Sequence, residues 1–336
     1  MSTIKNSEPI RWGIIGCGDV TEIKSGPAFN KVPGSSLVAV MRRDGAKAKD
    51  YAERHRVPTW YDDAAKLIND PAVNTIYVAT PPGSHEEYTI AALHAGKPVY
   101  VEKPMSVNTA SCIRMQQAAD AVNGKLTIAH YRRALPMFIK IKELIDTGAI
   151  GAIRTIRLSL LQPDKSAMIA NTSNNWRVNP AIAGAGLFYD LAPHQLDILI
   201  YFFGSPIEAK GISANQAGLY QTEDVVTGIM HLPKDILFTG QWCFTVNERE
   251  QKDLVEIVGA SGKISFPVFG HSVTIFTNEG KKEYNFQPPA HIQQPMIEKV
   301  VQYFLDQGQN PCSATDALES MSVMENFVYG GKDYKD

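Results

Sequence analysis

The chain predicts an α/β half with a parallel sheet, followed by an α+β half built on a large open, mostly antiparallel sheet. Three observations carry this expectation. At 336 residues the chain exceeds one small core and suits two domains. Up to about residue 130, short apolar runs alternate with helical stretches, as in a parallel sheet covered on both faces. Beyond it, strand-like runs follow one another with turn residues between most of them. Several alternate polar and apolar positions, as half-buried antiparallel strands do.

In chain order, "RWGII", "LVAVM", "TIYVAT", "PVYVEKP" and "LTIAHY" read as the strands of the first half. "GAKAKDYAERH" and "EEYTIAALHAG" read as helices between them, the second closing on a glycine suited to a helix C-terminus. "ALPMFIKIKELIDTGAIG" is a helix ending near Gly148. The strands "AIRTIRLSLLQ", "IEAKGISAN", "DVVTGIMHL", "ILFTGQWCF", "LVEIVGA", "GKISF" and "SVTIFT" come next, and two helices, "PMIEKVVQYFLDQG" and "ATDALESMSVMENFVYGG", close the chain. The expected domains are therefore 1–130 and 131–330. The bare face of the second sheet is expected to join subunits into a homodimer or homotetramer.

Composition narrows the function. The 33 basic residues nearly balance the 35 acidic ones, which argues against a nucleic-acid partner. Cys17, Cys112, Cys243 and Cys312 lie far apart with no C-x-x-C pair, so neither a zinc ligand set nor a disulfide framework is expected. "MSTIKNSEPI" has no apolar run of the secretory kind, and no segment reaches the roughly 20 apolar residues of a membrane span. A cytoplasmic protein away from membranes is the expectation. The terminal "KDYKD" looks like the start of an epitope tag.

The first strand runs straight into Gly16-Cys17-Gly18 and an expected helix beginning with Asp19 and Val20. Such a turn brings backbone amides and a helix N-terminus up to a pyrophosphate, as in a Rossmann dinucleotide site. The third glycine of G-x-G-x-x-G is replaced by Thr21. That glycine serves helix–strand packing, so the phosphate contacts survive its loss. An acidic residue about 20 positions on would bind a ribose hydroxyl. Here the second strand ends in Arg42-Arg43, then Asp44. Two guanidinium groups suit a 2′-phosphate, so NADP(H) is favoured; NAD(H), with Asp44 on the ribose, is the alternative.

Glu102-Lys103-Pro104 ends another parallel strand, where ligands of such sheets collect. A lysine there can favour an alkoxide, although an exposed lysine is often only surface charge. Asp190, His194 and Asp197 fall at i, i+4 and i+7, on one face of a helix expected to start near Asp190, with Pro193 in its first turn. A histidine can exchange a hydroxyl proton, and a nearby carboxylate can orient it. The other readings are a solvated polar face or a metal pair, and the metal pair lacks an evident third ligand.

In this order, the G-x-G turn, "EKP", "WR" and "D-x-x-x-H-x-x-D" resemble the Gfo/Idh/MocA family of oxidoreductases over nearly the whole chain. The resemblance implies a catalytic group of Lys103, Asp190 and His194. It implies that "ATPPGSH", with Thr80, Pro81 and His85, borders the nicotinamide end of the cofactor, beside Glu102 and Lys103. It also implies that "HYRR", with Tyr131 and Arg132, and Trp176-Arg177 flank the substrate together with Asp190 and His194. The family acts on sugars, polyols and related cyclic alcohols, so hydride transfer at a secondary alcohol or ketone carbon is expected, with no metal. The rivals are an NAD-dependent glycoside hydrolase or lyase of the same fold and a non-catalytic cofactor sensor.

Overall fold

The computed structural model describes residues 8–169 and 175–330. The signal-free reading of the first residues and the tag-like tail at 332–336 fall largely outside that range.

The first half runs β1 (Ile10–Ile15), α1 (Asp19–Ile23), β2 (Ser35–Met41), α2 (Gly45–His55), β3 (Thr59–Tyr61), α3 (Ala64–Asn69), β4 (Thr75–Val78), α4 (His85–His94), β5 (Val99–Val101), α5 (Thr109–Ala121) and β6 (Leu126–Ile128). Its strands form one parallel sheet in the order β3-β2-β1-β4-β5-β6. The order reverses between β1 and β4, the switch point at which open α/β sheets bind ligands beyond their strand ends. β4, β5 and β6 are buried at every position, as strands covered on both faces must be. Trp12 of β1 is fully buried, its ring 4.6 Å from that of Phe29, and its Nε1 donates to Ser35 Oγ at 2.9 Å.

The second half runs α6 (Pro136–Asp146), β7 (Ile153–Leu161), α7 (Pro180–Ala183), α8 (Leu187–Leu191), α9 (Pro193–Phe203), β8 (Glu208–Ala214), β9 (Val225–Leu232), β10 (Ile236–Cys243), β11 (Lys252–Gly259), β12 (Gly262–Phe266), β13 (Ser272–Thr277), β14 (Gly280–Asn285), α10 (Gln294–Phe304) and α11 (Ala314–Tyr329). Its eight strands order as β14-β13-β12-β11-β7-β10-β9-β8, antiparallel except where β10 runs parallel to β7. Burial alternates strictly along β9 and β10. One face packs inward through Val226, Met230, Phe238 and Trp242. The other leaves Ile212, Ile229, Leu237 and Phe276 exposed. Gly228 on the inner face lets α11 approach, since a Cβ there would lie 2.3 Å from the Phe327 ring.

The chain divides into two compact units, residues up to 135 with 289–318, and 136–288 with 319 onward. The expected single boundary at 130 therefore leaves out a return. Gln293, just before α10, donates its backbone N–H to Lys24 O at 3.1 Å, and Ile128 donates to Cys312 O at 3.0 Å. These bonds tie the late segment to the first sheet. Two strands escaped the sequence pattern. β3 has three residues, and β14, "GKKEYN", is an edge strand with no buried position, its lysines and glutamate carrying no apolar signal.

Candidate active site

At the end of β1, Gly16 N and Cys17 N both donate to Met41 O, at 2.9 and 3.1 Å, drawing the turn across to β2. Gly16 adopts φ +96°, and a Cβ on it would lie 2.8 Å from Thr80 N. No L side chain fits there. Gly18 is extended, and a Cβ on it would meet nothing nearer than Gly16 O at 3.9 Å. The turn is thus a cradle with open space in front of its second glycine, which fits a dinucleotide pyrophosphate. Burial pushes the Cys17 thiol up to about 11, so it stays protonated at neutral pH.

Thr21 has a definite job in the place of the third glycine. Its hydroxyl donates to Gly18 O at 2.8 Å and accepts from Gly18 N at 3.0 Å, closing the first turn of α1 on itself. A separate close approach occurs at Gly26. A Cβ there would lie 2.2 Å from Thr21 O and 2.3 Å from Tyr51 Oη. Tyr51 donates to Thr21 O at 2.8 Å, and Glu22 is forked by Arg54 through two contacts of 2.8 Å and by His55 Nε2 at 2.7 Å. The five-residue α1 is therefore pinned to α2.

Beyond β2, half-buried Arg42 reaches Cys17 O with Nη1 at 3.4 Å, while Arg43 is exposed. Asp44 is committed to capping α2, accepting from Lys47 N at 3.2 Å. Arg43 also borders a groove of about 610 Å³ with Met41, Asp63, Glu87 and Tyr88.

The strand end at Glu102 is buried. Its Oε1 accepts from Tyr77 Oη at 2.5 Å and Gln293 Nε2 at 2.6 Å, and Oε2 from Lys103 N at 3.2 Å. Burial, with the Glu102 charge close by, pushes the Tyr77 phenol well above its ordinary range, so it remains a donor. Glu102 thus serves as the anchor that sets the backbone of Lys103. His85, expected beside the nicotinamide, is fully buried and has Thr80 O at 2.7 Å from Nε2. Burial lowers its pKa.

Tyr131, Arg132 and Arg133 form a tight turn after β6, each 7% exposed, with the Arg132 guanidinium 5.5 Å from the Tyr131 ring centre. In the second unit, Arg177 Nε donates to Asp190 Oδ2 at 3.1 Å, and the guanidinium lies 4.4 Å from the Trp176 ring centre. That face of Trp176 is occupied by its own neighbour.

The helix expected to start near Asp190 is two helices. Asp190 sits in α8, and Pro193 opens α9 with His194 directly after it. Proline has no N–H to continue the earlier turn, so the chain restarts at Ala192. A solvated polar face is also ruled out, because His194 is 7% and Asp197 1% exposed. The His194 ring meets Phe269 edge to face at 5.6 Å. Asp253 holds the Phe269 turn by accepting from Val268 N at 3.0 Å and Phe269 N at 2.7 Å. Behind α8, Gly186 N donates to Glu223 Oε1 at 3.0 Å, and burial pushes the Glu223 carboxyl up to about 7. Among the described residues, no group of three or more His, Cys, Asp or Glu is placed to hold a metal ion. No described helix is long and apolar enough to cross a membrane.

Residues 10–130 match the model of an oxidoreductase family with an NAD-binding Rossmann fold, and 138–265 match the GFO/IDH/MocA C-terminal domain. The chain belongs to the Gfo/Idh/MocA family. It is 42% identical over 318 residues to "Oxidoreductase P35" of Formosa agariphila, covering 95% of this chain and 98% of that one. A scyllo-inositol 2-dehydrogenase (NADP(+)) of Bacillus subtilis is 29% identical over 68% of this chain and 60% of its own length. An aldose-aldose oxidoreductase of Caulobacter crescentus, solved with glycerol, shares the fold at TM-score 0.83 with 22% identity, over 95% of this chain and 96% of that one. The chain is accordingly an NAD(P)-dependent dehydrogenase or reductase.

Within this Gfo/Idh/MocA chain, sequence reasoning missed Gln293, Tyr77, Glu223, Asp253 and Phe269. Each acts through burial or a hydrogen bond to a distant segment, and none carries a local motif. Only "FPVFG" could have hinted at Phe269, as an aromatic beside a turn glycine.

The Glu22 fork has a pH signature. The folded chain holds that carboxyl at about 2, below its ordinary 4.5, chiefly through Arg54. The ionised pair therefore stabilises the fold above about pH 4.5, and this contribution is lost as the pH falls toward 2. With the Glu22 side chain 34% exposed, screening keeps it modest. Glu22→Gln should be the less stable protein in denaturant at neutral pH, with the gap closing as the pH drops through that window. A gap that stays constant would contradict the assignment.

Proposed function

We propose that this chain moves hydride reversibly between NADP(H), in preference to NAD(H), and a secondary alcohol or ketone carbon of a sugar, polyol or related cyclic alcohol. The observation that supports this reading best is the constellation around His194. A buried imidazole follows α8 directly, and on α8 Asp190 is held by Arg177 at 3.1 Å. When bound, the cofactor supplies hydride chemistry at its nicotinamide ring. The turn of Gly16, Cys17 and Gly18 would leave room for its pyrophosphate beside Asp19 and Val20 at the start of α1, and Thr80 and Pro81 would border the nicotinamide. Arg42 and Arg43 would take the 2′-phosphate. Support for NADP(H) comes from Asp44, whose carboxylate is engaged by Lys47 N and so is drawn away from a ribose.

In this reading His194 takes or returns the hydroxyl proton of the substrate, and Asp190, steadied by Arg177, orients the imidazole. Lys103 stabilises the oxygen as charge develops on it, its backbone set by Glu102. Tyr131, Arg132, Trp176 and Arg177 contact the substrate hydroxyls. The exposed sheet face bearing Ile212, Ile229 and Leu237 joins subunits into a homodimer or homotetramer. Sedimentation at micromolar concentration should show that oligomer, and a monomer would refute it.

The activity is tested by following nicotinamide absorbance with sugars, inositols and their keto forms, using each cofactor in turn. Steady turnover of added cofactor is expected, and it separates this reading from a hydrolase that regenerates its own. Lys103→Ala should lower kcat by about 10²-fold or more with cofactor binding kept. Arg42→Ala with Arg43→Ala should weaken NADP(H) far more than NAD(H). No turnover across the panel would overturn the reading, and equal loss for both cofactors would return the arginines to the surface.

A further inference from the structure

His85 stands at the start of α4, in the segment after β4, and its side chain is fully buried. Its two ring nitrogens face different loops. Nε2 lies 2.7 Å from Thr80 O, within its own loop. Nδ1 lies 3.1 Å from Pro104 O and 3.3 Å from Met105 O, in the loop that follows Lys103. All of these partners are carbonyl oxygens, which only accept, so the ring nitrogens are the donors. A neutral imidazole carries one N–H and hydrogen-bonds one side at a time, the other side being held by packing alone, whereas an imidazolium donates to both; in either state the ring fills the space between the two loops.

This geometry is unlike that of a ligand-binding histidine. With both nitrogens turned to backbone and no accessible surface, His85 has no edge left for a dinucleotide. What it does reach is functional on both sides. Thr80 packs against the cradle, its N–H lying 2.8 Å from where a Cβ of Gly16 would be. Ser84 Oγ donates to Thr80 Oγ1 at 2.9 Å and stiffens the same loop. The other side begins one residue after Lys103. A single ring therefore connects the phosphate turn, through Thr80, to the lysine loop.

We propose that His85 is a positioning residue that holds the Lys103 loop in register with the Thr80 loop, so that the lysine and the cofactor cradle keep one geometry. The assignment of tasks to those loops rests on the function proposed above; the clamp itself rests on the three contacts.

Amide hydrogen exchange on the full chain without cofactor tests the clamp directly. His85→Ala should speed exchange roughly tenfold in both loops, 79–84 and 103–106, as a lost buried hydrogen bond would. Two variants divide the effect. In His85→Asn the amide reaches the Nδ1 position, so only 79–84 should loosen; in His85→Gln it reaches the Nε2 position, so only 103–106 should. Titration with NADP(H) and NAD(H) should show weaker binding in His85→Ala, although His85 touches neither. Unchanged exchange in both loops would overturn the proposal. So would equal loosening throughout the parallel sheet in all three variants, which would make His85 a core residue and nothing more. If the unsubstituted chain binds neither cofactor, the proposed function fails while the exchange result still decides the clamp.

Discussion

The first unit depends on a close approach at the switch point of its sheet, where the end of β1 meets the end of β4. Gly16 can sit against Thr80 N only because it has no side chain and adopts φ +96°. The shape of the turn at the end of β1 rests on that contact. It brings the turn at Gly16–Gly18 beside the loop at Thr80, and Met41 O accepts both turn amides from the β2 side. In the parallel order β3-β2-β1-β4-β5-β6, Arg42 after β2 and Glu102 after β5 then emerge at the same end of the sheet, one on each side of the β1–β4 pair.

Around that approach, buried polar groups do the positioning. Glu102 would be costly as a lone buried carboxylate, and Tyr77, Gln293 and the Lys103 amide satisfy it. Gln293 comes from the segment that returns to the first unit just before α10, so the lysine backbone is set by residues far apart in the chain. In the second unit the break at Pro193 has a comparable effect. It ends α8 just after Asp190 and starts α9 just before His194, giving each side chain its own short, fixed support. Arg177 holds α8 at Asp190, Glu223 holds Gly186 just before its first turn, and Phe269 packs on His194 of α9.

Much of this was legible in the sequence. Continuous apolar runs marked β1, β2, β4, β5 and β6, and strand-like runs, several of them alternating, marked β7 to β13, because burial on two faces or one writes itself directly into residue pattern. "GAKAKDYAERH" coincides with α2 from end to end. β14 was not legible, since an unburied edge strand leaves no apolar trace. The third glycine of the motif is absent, and Thr21 in its place closes the first turn of α1 onto Gly18, a use that no motif marks. Candidate site residues that lie in a motif could be named from sequence. Those that work through long-range hydrogen bonds, such as Gln293 and Asp253, were not, because their partners become neighbours only on folding.

The central claim is that hydride passes between the nicotinamide ring and a carbinol carbon of a polyhydroxylated substrate. It is tested most directly by supplying reduced cofactor deuterated at C4 of the nicotinamide, together with the keto form of a sugar or inositol, and analysing the alcohol by mass spectrometry. The account predicts deuterium on the carbinol carbon of the product. An alcohol formed without deuterium from either face of the ring, or a substrate cleaved at its glycosidic bond with no label retained, would contradict it.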